Sequence, residues 1–164
     1  MITPVAENPF AVLTLIAAPA VFTNASSVLA LGTGNRLARV VDRTRTLVKD
    51  LHGTEVDAET KQLWMRHLAR LEQRGALLVR AMSFFYGGIG CFAAASVVSI
   101  LGASVVSSQY KWVFQAIVAI SFVAGTIGFV GLAVGCSFLV NETRLALRSI
   151  YEEADLARSW FKLR

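Results

Sequence analysis

The chain has 164 residues, 55% of them hydrophobic and 16% charged, with a formal net charge of +5. The length suits one domain, but a mean hydropathy of +0.57 exceeds what an ordinary soluble domain carries. The charge is also segregated, because residues 8–35, 81–110 and 112–141 contain no Asp, Glu, Lys or Arg. About 20 apolar residues cross a ~30 Å hydrocarbon core. Three charge-free runs of this length argue against a soluble fold and for three membrane spans.

Residues 1–9 read as an irregular leader in which Glu7 alone is charged. The leader has no basic residue, and the run behind it is too long for the apolar part of a cleaved signal, so the run is expected to persist as a span. That first span covers about 10–34. Pro19 in its middle removes a backbone hydrogen bond and predicts a bend. Thr23, Asn24, Ser26 and Ser27 follow. Polar groups in lipid need partners, so these four are expected to face other helices. Two roles are open for Asn24, interhelical hydrogen bonding or the lining of a polar path.

Residues 35–80 change pattern. Leu37, Val41, Thr44, Val48 and Leu51 alternate spacings of four and three, with Val40 and Leu47 widening the stripe, which predicts an amphipathic helix with coiled-coil spacing. Arg36, Arg39 and Arg43 share one face beside that stripe. His52-Gly53 ends the helix, glycine being suited to the position past a C-terminus, and Thr54 or Asp57 caps the next one. Trp64, Leu68, Leu71, Gly75, Leu78, Met82 and Phe85 then repeat the heptad spacing across Arg80 without a phase break. A short turn joins the two helices, so they are expected to pack antiparallel, with Val41 and Val48 opposite Trp64, Leu68 and Leu71. His52 and His67 have no metal-ligand spacing around them and read as solvated or rim residues.

The second span, about 81–106, is rich in small residues. A polar turn follows, with Lys111 between the interfacial aromatics Tyr110 and Trp112. The third span, about 113–140, carries Gly125, Gly128, Gly131 and Gly135 on one face, a helix-packing surface. Packing inside one chain and association between copies are both consistent with it. Cys91 and Cys136 lie at different depths of their spans and read as small buried hydrophobes. The tail, 141–164, places Leu147, Ile150, Ala154, Ala157 and Phe161 at helical spacing, so all three spans are expected to continue as amphipathic helices. The fold class is thus all-α and integral to a membrane, one domain over 1–164 with a helical hairpin at 35–80 and a tail helix at 141–164.

Ten of the sixteen Lys and Arg lie in residues 35–80, five in the tail and one in the second connection. Basic flanks stay cytoplasmic, which puts the N-terminus outside and the hairpin and tail inside. The same charge attracts anionic headgroups, and Arg36, Arg39 and Arg43 are the residues expected to contact either lipid or the tail. Acidic residues are mixed through the hairpin and no base-reading motif is present, which argues against nucleic acid as a partner.

The stretch Asn35-Arg36-x-x-Arg39-x-x-Asp42-Arg43-x-Arg45, leaving a first span, resembles a signature of an uncharacterised family of small bacterial inner-membrane proteins catalogued as a domain of unknown function. The likeness extends over nearly the whole chain, down to Arg144-Leu145-Ala146 in the tail. It implies a bacterial inner-membrane location and no activity. No span contains an ionisable acid, base or histidine, and no nucleophile, phosphate-loop or metal pattern occurs, so an enzyme, a cofactor and a coupled pump are not expected. The function expected is that of a small oligomeric structural or interaction protein. It would present a basic helical bundle to anionic lipid or to an unidentified protein partner, with copies associating. The alternative is a passive channel or transporter subunit formed by oligomerisation.

Overall fold

The computed structural model describes the backbone of residues 9–53, 58–105 and 111–162 and the side chains of residues 13, 17–51, 61–102 and 112–151. The described backbone forms three helices, α1 (Pro9–Gly53), α2 (Ala58–Val105) and α3 (Lys111–Lys162). Each apolar run is therefore continuous with its neighbouring amphipathic stretch, as the unbroken stripe across Arg80 predicts. α1 ends at Gly53. The caps proposed at Thr54 and Asp57, and the polar connection through Tyr110, lie outside the described residues.

Two stretches, Lys61–Gly102 of α2 and Trp112–Tyr151 of α3, are long and apolar enough to cross a membrane. Only 28% and 11% of their apolar windows are buried. A helix that is apolar all round is stable only where something other than water surrounds it. Phe122, Ile127 and Val130 are among the large apolar side chains that face outward.

The chain divides into two compact units, Met1–Leu31 with Ser83–Val134, and Gly32–Met82 with Gly135–Arg164. In the first unit, Phe92 is buried and stacks on Phe22 with ring centroids 5.3 Å apart. Phe22 in turn meets Phe129 edge-on at 5.9 Å. One ring from each helix thus meets in this cluster, in which Phe92 alone is buried, and glycine lets the backbones approach it. A Cβ on Gly88 would stand 3.2 Å from the Gly128 carbonyl oxygen, and one on Gly128 would stand 3.0 Å from the Phe92 ring. Buried Ser99 and Ser121 lie 2.6 Å apart, and both approach the Ala95 carbonyl, at 2.8 and 3.0 Å. Each hydroxyl has one proton, so two protons serve these three contacts and the pair links α2 to α3.

The polar residues of α1 divide, Ser26 being buried and Thr23 half-buried while Asn24 and Ser27 are exposed. Thr23 donates to the Pro19 carbonyl at 2.8 Å and Ser27 to the Thr23 carbonyl at 2.9 Å. Both hydroxyls are therefore satisfied by their own helix, a bond open to any helical Ser or Thr, and need no neighbouring helix. Ser27 and Asn24 are exposed, while Ser26 is buried and its hydroxyl has no hydrogen-bond partner among the described residues.

In the second unit, Leu78 and Ala81 are fully buried and the other α2 stripe positions, Trp64, Leu68, Leu71, Gly75 and Met82, are half-buried. The α1 stripe is sheltered at Leu37, Val40, Thr44, Leu47, Val48 and Leu51, and departs from expectation only at Val41. Val40 is 6% exposed and its Cγ1 lies 3.9 Å from where a Cβ on Gly75 would be, whereas Val41 is 38% exposed. Adjacent valines make the pattern degenerate, and the open space at Gly75 selects Val40. Of the tail stripe, the side chains of Ala154, Ala157 and Phe161 lie outside the described residues. Leu147 and Ile150 are exposed, while Glu142 is buried and Ala146 and Ser149 are half-buried. The reason lies in the partners of Glu142.

Candidate functional site

Glu142 is the first charged residue after the third apolar run, and its side chain is only 4% exposed. A buried carboxylate is costly unless it is paired and hydrogen-bonded. Arg74 of α2 meets that need. Its Nε donates to Glu142 Oε1 at 2.9 Å, and its Nη2 lies 2.8 Å from the same oxygen. The second carboxylate oxygen is left to α1, where Arg36 Nη1 stands 3.6 Å from Oε2 and donates to Thr143 Oγ1 at 3.3 Å. Thr143 donates its own proton to the Leu139 carbonyl at 2.9 Å. One acid thus holds residues of all three helices together and fixes the rotation of α3 that turns Leu147 and Ile150 outward.

These groups border a cavity of about 380 Å³ that also takes in Arg39, Val40, Arg43, Leu71 and Ala146. The three arginines singled out by their shared helix face, Arg36, Arg39 and Arg43, are brought to one concave surface together with Arg74. Four guanidinium groups therefore face one carboxylate, and that carboxylate is already engaged by Arg74 and Arg36. Arg39 and Arg43 have no ion-pair partner among the described residues. Such a surplus of forked donors suits oxyanions, which accept two parallel N–H bonds from one guanidinium.

A second cavity of about 430 Å³ shares Arg43, Leu71 and Arg74 with the first. Its remaining lining has a different character, with Leu47, Leu63, Trp64 and Ile150 beside His67, Arg70 and Ser149. No carboxylate among the described residues lines it.

The other residues expected to matter do not join this surface. Asn24 is exposed in the first unit. Gly128 is buried against Phe92 and Cys91, and a Cβ on Gly131 would lie 3.6 Å from the Phe84 carbonyl oxygen, so both sit against α2 of their own chain. A Cβ on Gly125 would meet nothing within 4 Å, and Gly135 is buried in the second unit. Arg74 is not singled out by the sequence pattern. The available signal is its place beside Gly75 on the flank of an apolar stripe, where an arginine implies an acid opposite. Among the described residues no cluster of His, Cys, Asp or Glu could hold a metal ion, and Cys91 and Cys136 are free thiols.

Residues 16–151 match the model of a family described as protein of unknown function, DUF2721. The match takes in most of each unit and every residue of the arginine-lined cavity, in line with the resemblance to an uncharacterised family. No curated protein and no solved structure matches the chain.

Proposed function

The chain belongs to the DUF2721 family, and we propose that it is a three-span protein of a bacterial inner membrane that presents a basic helical bundle to anionic lipid headgroups. One observation carries this reading: four arginines and a single, already paired carboxylate line one cavity. Arg36, Arg39 and Arg43 are exposed and Arg74 is half-buried, so the positive surplus is concentrated on one accessible surface. Each basic group near an anionic surface can gain roughly 1 kcal/mol.

Further observations support the arrangement. Arg36 and Glu142 are the first charges after the first and third apolar runs, and Arg74 precedes the second. Their mutual contact is what alternating spans would produce, with the ends of runs one and three and the start of run two on the same side. Val40 lies against Gly75 and Gly34 against Met82, the falling-and-rising register of an antiparallel hairpin. The count of basic residues puts that side in the cytoplasm and the N-terminus outside. Copies of the chain associate in this proposal. Because Gly128 and Gly131 face their own α2, the exposed Leu147, Ile150 and Tyr151, spaced as neighbours on one helix face, form the more accessible apolar stripe.

The test is lipid selection. In nanodiscs of equal phosphatidylglycerol and phosphatidylcholine, native mass spectrometry should find phosphatidylglycerol enriched among the lipids retained on the released protein. Arg39→Gln with Arg43→Gln should remove the enrichment. Equal retention of both lipids by the wild-type chain contradicts the headgroup reading.

A further inference from the structure

The two cavities of the second unit have complementary linings. The first offers guanidinium groups, and the second adds an indole and aliphatic side chains to Arg70 and His67, with no acid among the described residues. They meet at Arg43, Leu71 and Arg74, which line both. Arg74 is engaged with Glu142. Arg43 is not so engaged among the described residues, and Arg39 stands one helical turn before it on α1. Arg43 therefore presents donors where the two cavities meet, and Arg39 adds donors on the side of the first cavity.

We propose that the two chambers form one saturable site for a phosphorylated amphiphile, its phosphoryl oxygens held by Arg39 and Arg43 and its apolar group lying on Trp64 and Leu63. The phosphoryl group suits the site because it is compact, carries several acceptor oxygens and matches the guanidinium fork. Glu142 favours the same outcome indirectly. It occupies Arg74 and Arg36 and leaves Arg39 and Arg43 as the unengaged arginines of the first cavity. The apolar part of the second cavity distinguishes this ligand from a bare anion, since Trp64 and Leu63 gain by covering apolar surface. Four to one in positive charge excludes a cationic ligand. The inference deepens the headgroup reading above and rests on it for the expected source, a membrane phospholipid. A soluble phosphate ester with an apolar group has the same chemistry.

Binding is measured by isothermal titration on the full chain in an uncharged detergent, so that no bilayer is involved and a failure here leaves the nanodisc result standing. The probes are dihexanoyl phosphatidic acid, phenyl phosphate, inorganic phosphate and dihexanoyl phosphatidylcholine, each below its micelle-forming concentration. The proposal expects saturable binding of one equivalent of phosphatidic acid or of phenyl phosphate, at least tenfold tighter than inorganic phosphate. Preference for the phosphatidic acid identifies a lipid source, and preference for phenyl phosphate a soluble ester. Arg39→Gln and Arg43→Gln should each weaken the preferred probe about tenfold, the loss expected for one charge-assisted contact. Trp64→Ala should weaken it without changing the response to inorganic phosphate. Arg39→Lys and Arg43→Lys, which keep the charge and the fold but lose the fork, should give intermediate losses. Equal binding of phosphatidylcholine, equal binding of inorganic phosphate, indifference to both arginine substitutions, or no saturable binding of any probe would each overturn the proposal.

Discussion

At the scale of single residues, Glu142 decides more than any other side chain. It is buried, it draws Arg74 and Arg36 to itself, and it sets which face of α3 turns inward. Burial makes the pair consequential. Removing one partner leaves an uncompensated charge, whereas removing both leaves only a packing problem. Arg74→Met should therefore lower stability by roughly 3–5 kcal/mol, and Arg74→Met with Glu142→Met should recover most of that loss. Arg36 is half-exposed and 3.6 Å from its oxygen, so Arg36→Met should cost about 1 kcal/mol or less. Unfolding in mixed micelles, followed by circular dichroism, gives the three values. If the double variant is as unstable as Arg74→Met alone, Glu142 and Arg74 are not acting as a buried pair.

At the scale of the helices, the apolar periods foretell which stretches are helical and which α2 positions are sheltered. Trp64, Leu68, Leu71, Gly75, Leu78 and Met82 are all buried or half-buried, because alternating spacings of four and three keep them on one helix face. Periodicity cannot choose between Val40 and Val41, since both are apolar and only the partner helix distinguishes them. It misplaces the tail for a related reason. Leu147 and Ile150 form a self-consistent apolar stripe on their own, but a charged residue, Glu142, has the stronger claim on the interior once Arg74 is opposite. The arginine face of α1 is legible from spacing alone, whereas Arg74 lies in another helix and becomes visible only through its contact. Glycines show the same limit. The shared face of Gly125, Gly128 and Gly131 is readable, but their inequality is not. Gly128→Ala forces a Cβ to 3.0–3.2 Å from the Phe92 ring and Cys91, and Phe92 is buried and stacked on Phe22. That substitution should destabilise by about 1–3 kcal/mol. Gly125→Ala meets open space and should be neutral or stabilise by up to about 1 kcal/mol through helix propensity. Equal effects from the two in the same unfolding assay would contradict the packing described for the first unit.

At the scale of the molecule, an outward apolar surface on long helices accompanies a concentration of arginine on one surface of the second unit. The first needs lipid around it, and the second needs an anion to face. Both needs are met if the bundle emerges on the cytoplasmic side, where anionic headgroups and the positive-inside bias coincide. Sidedness is therefore the claim on which the proposed function depends. It is tested most directly with a reporter active only in the cytoplasm, inserted at Gly53 or Ser108 or fused at either terminus. The reporter should be active at Gly53 and after Arg164 and silent at Ser108 and at the N-terminus. Activity at Ser108 with silence at Gly53 would put the arginine-lined cavity outside the cell and contradict the account.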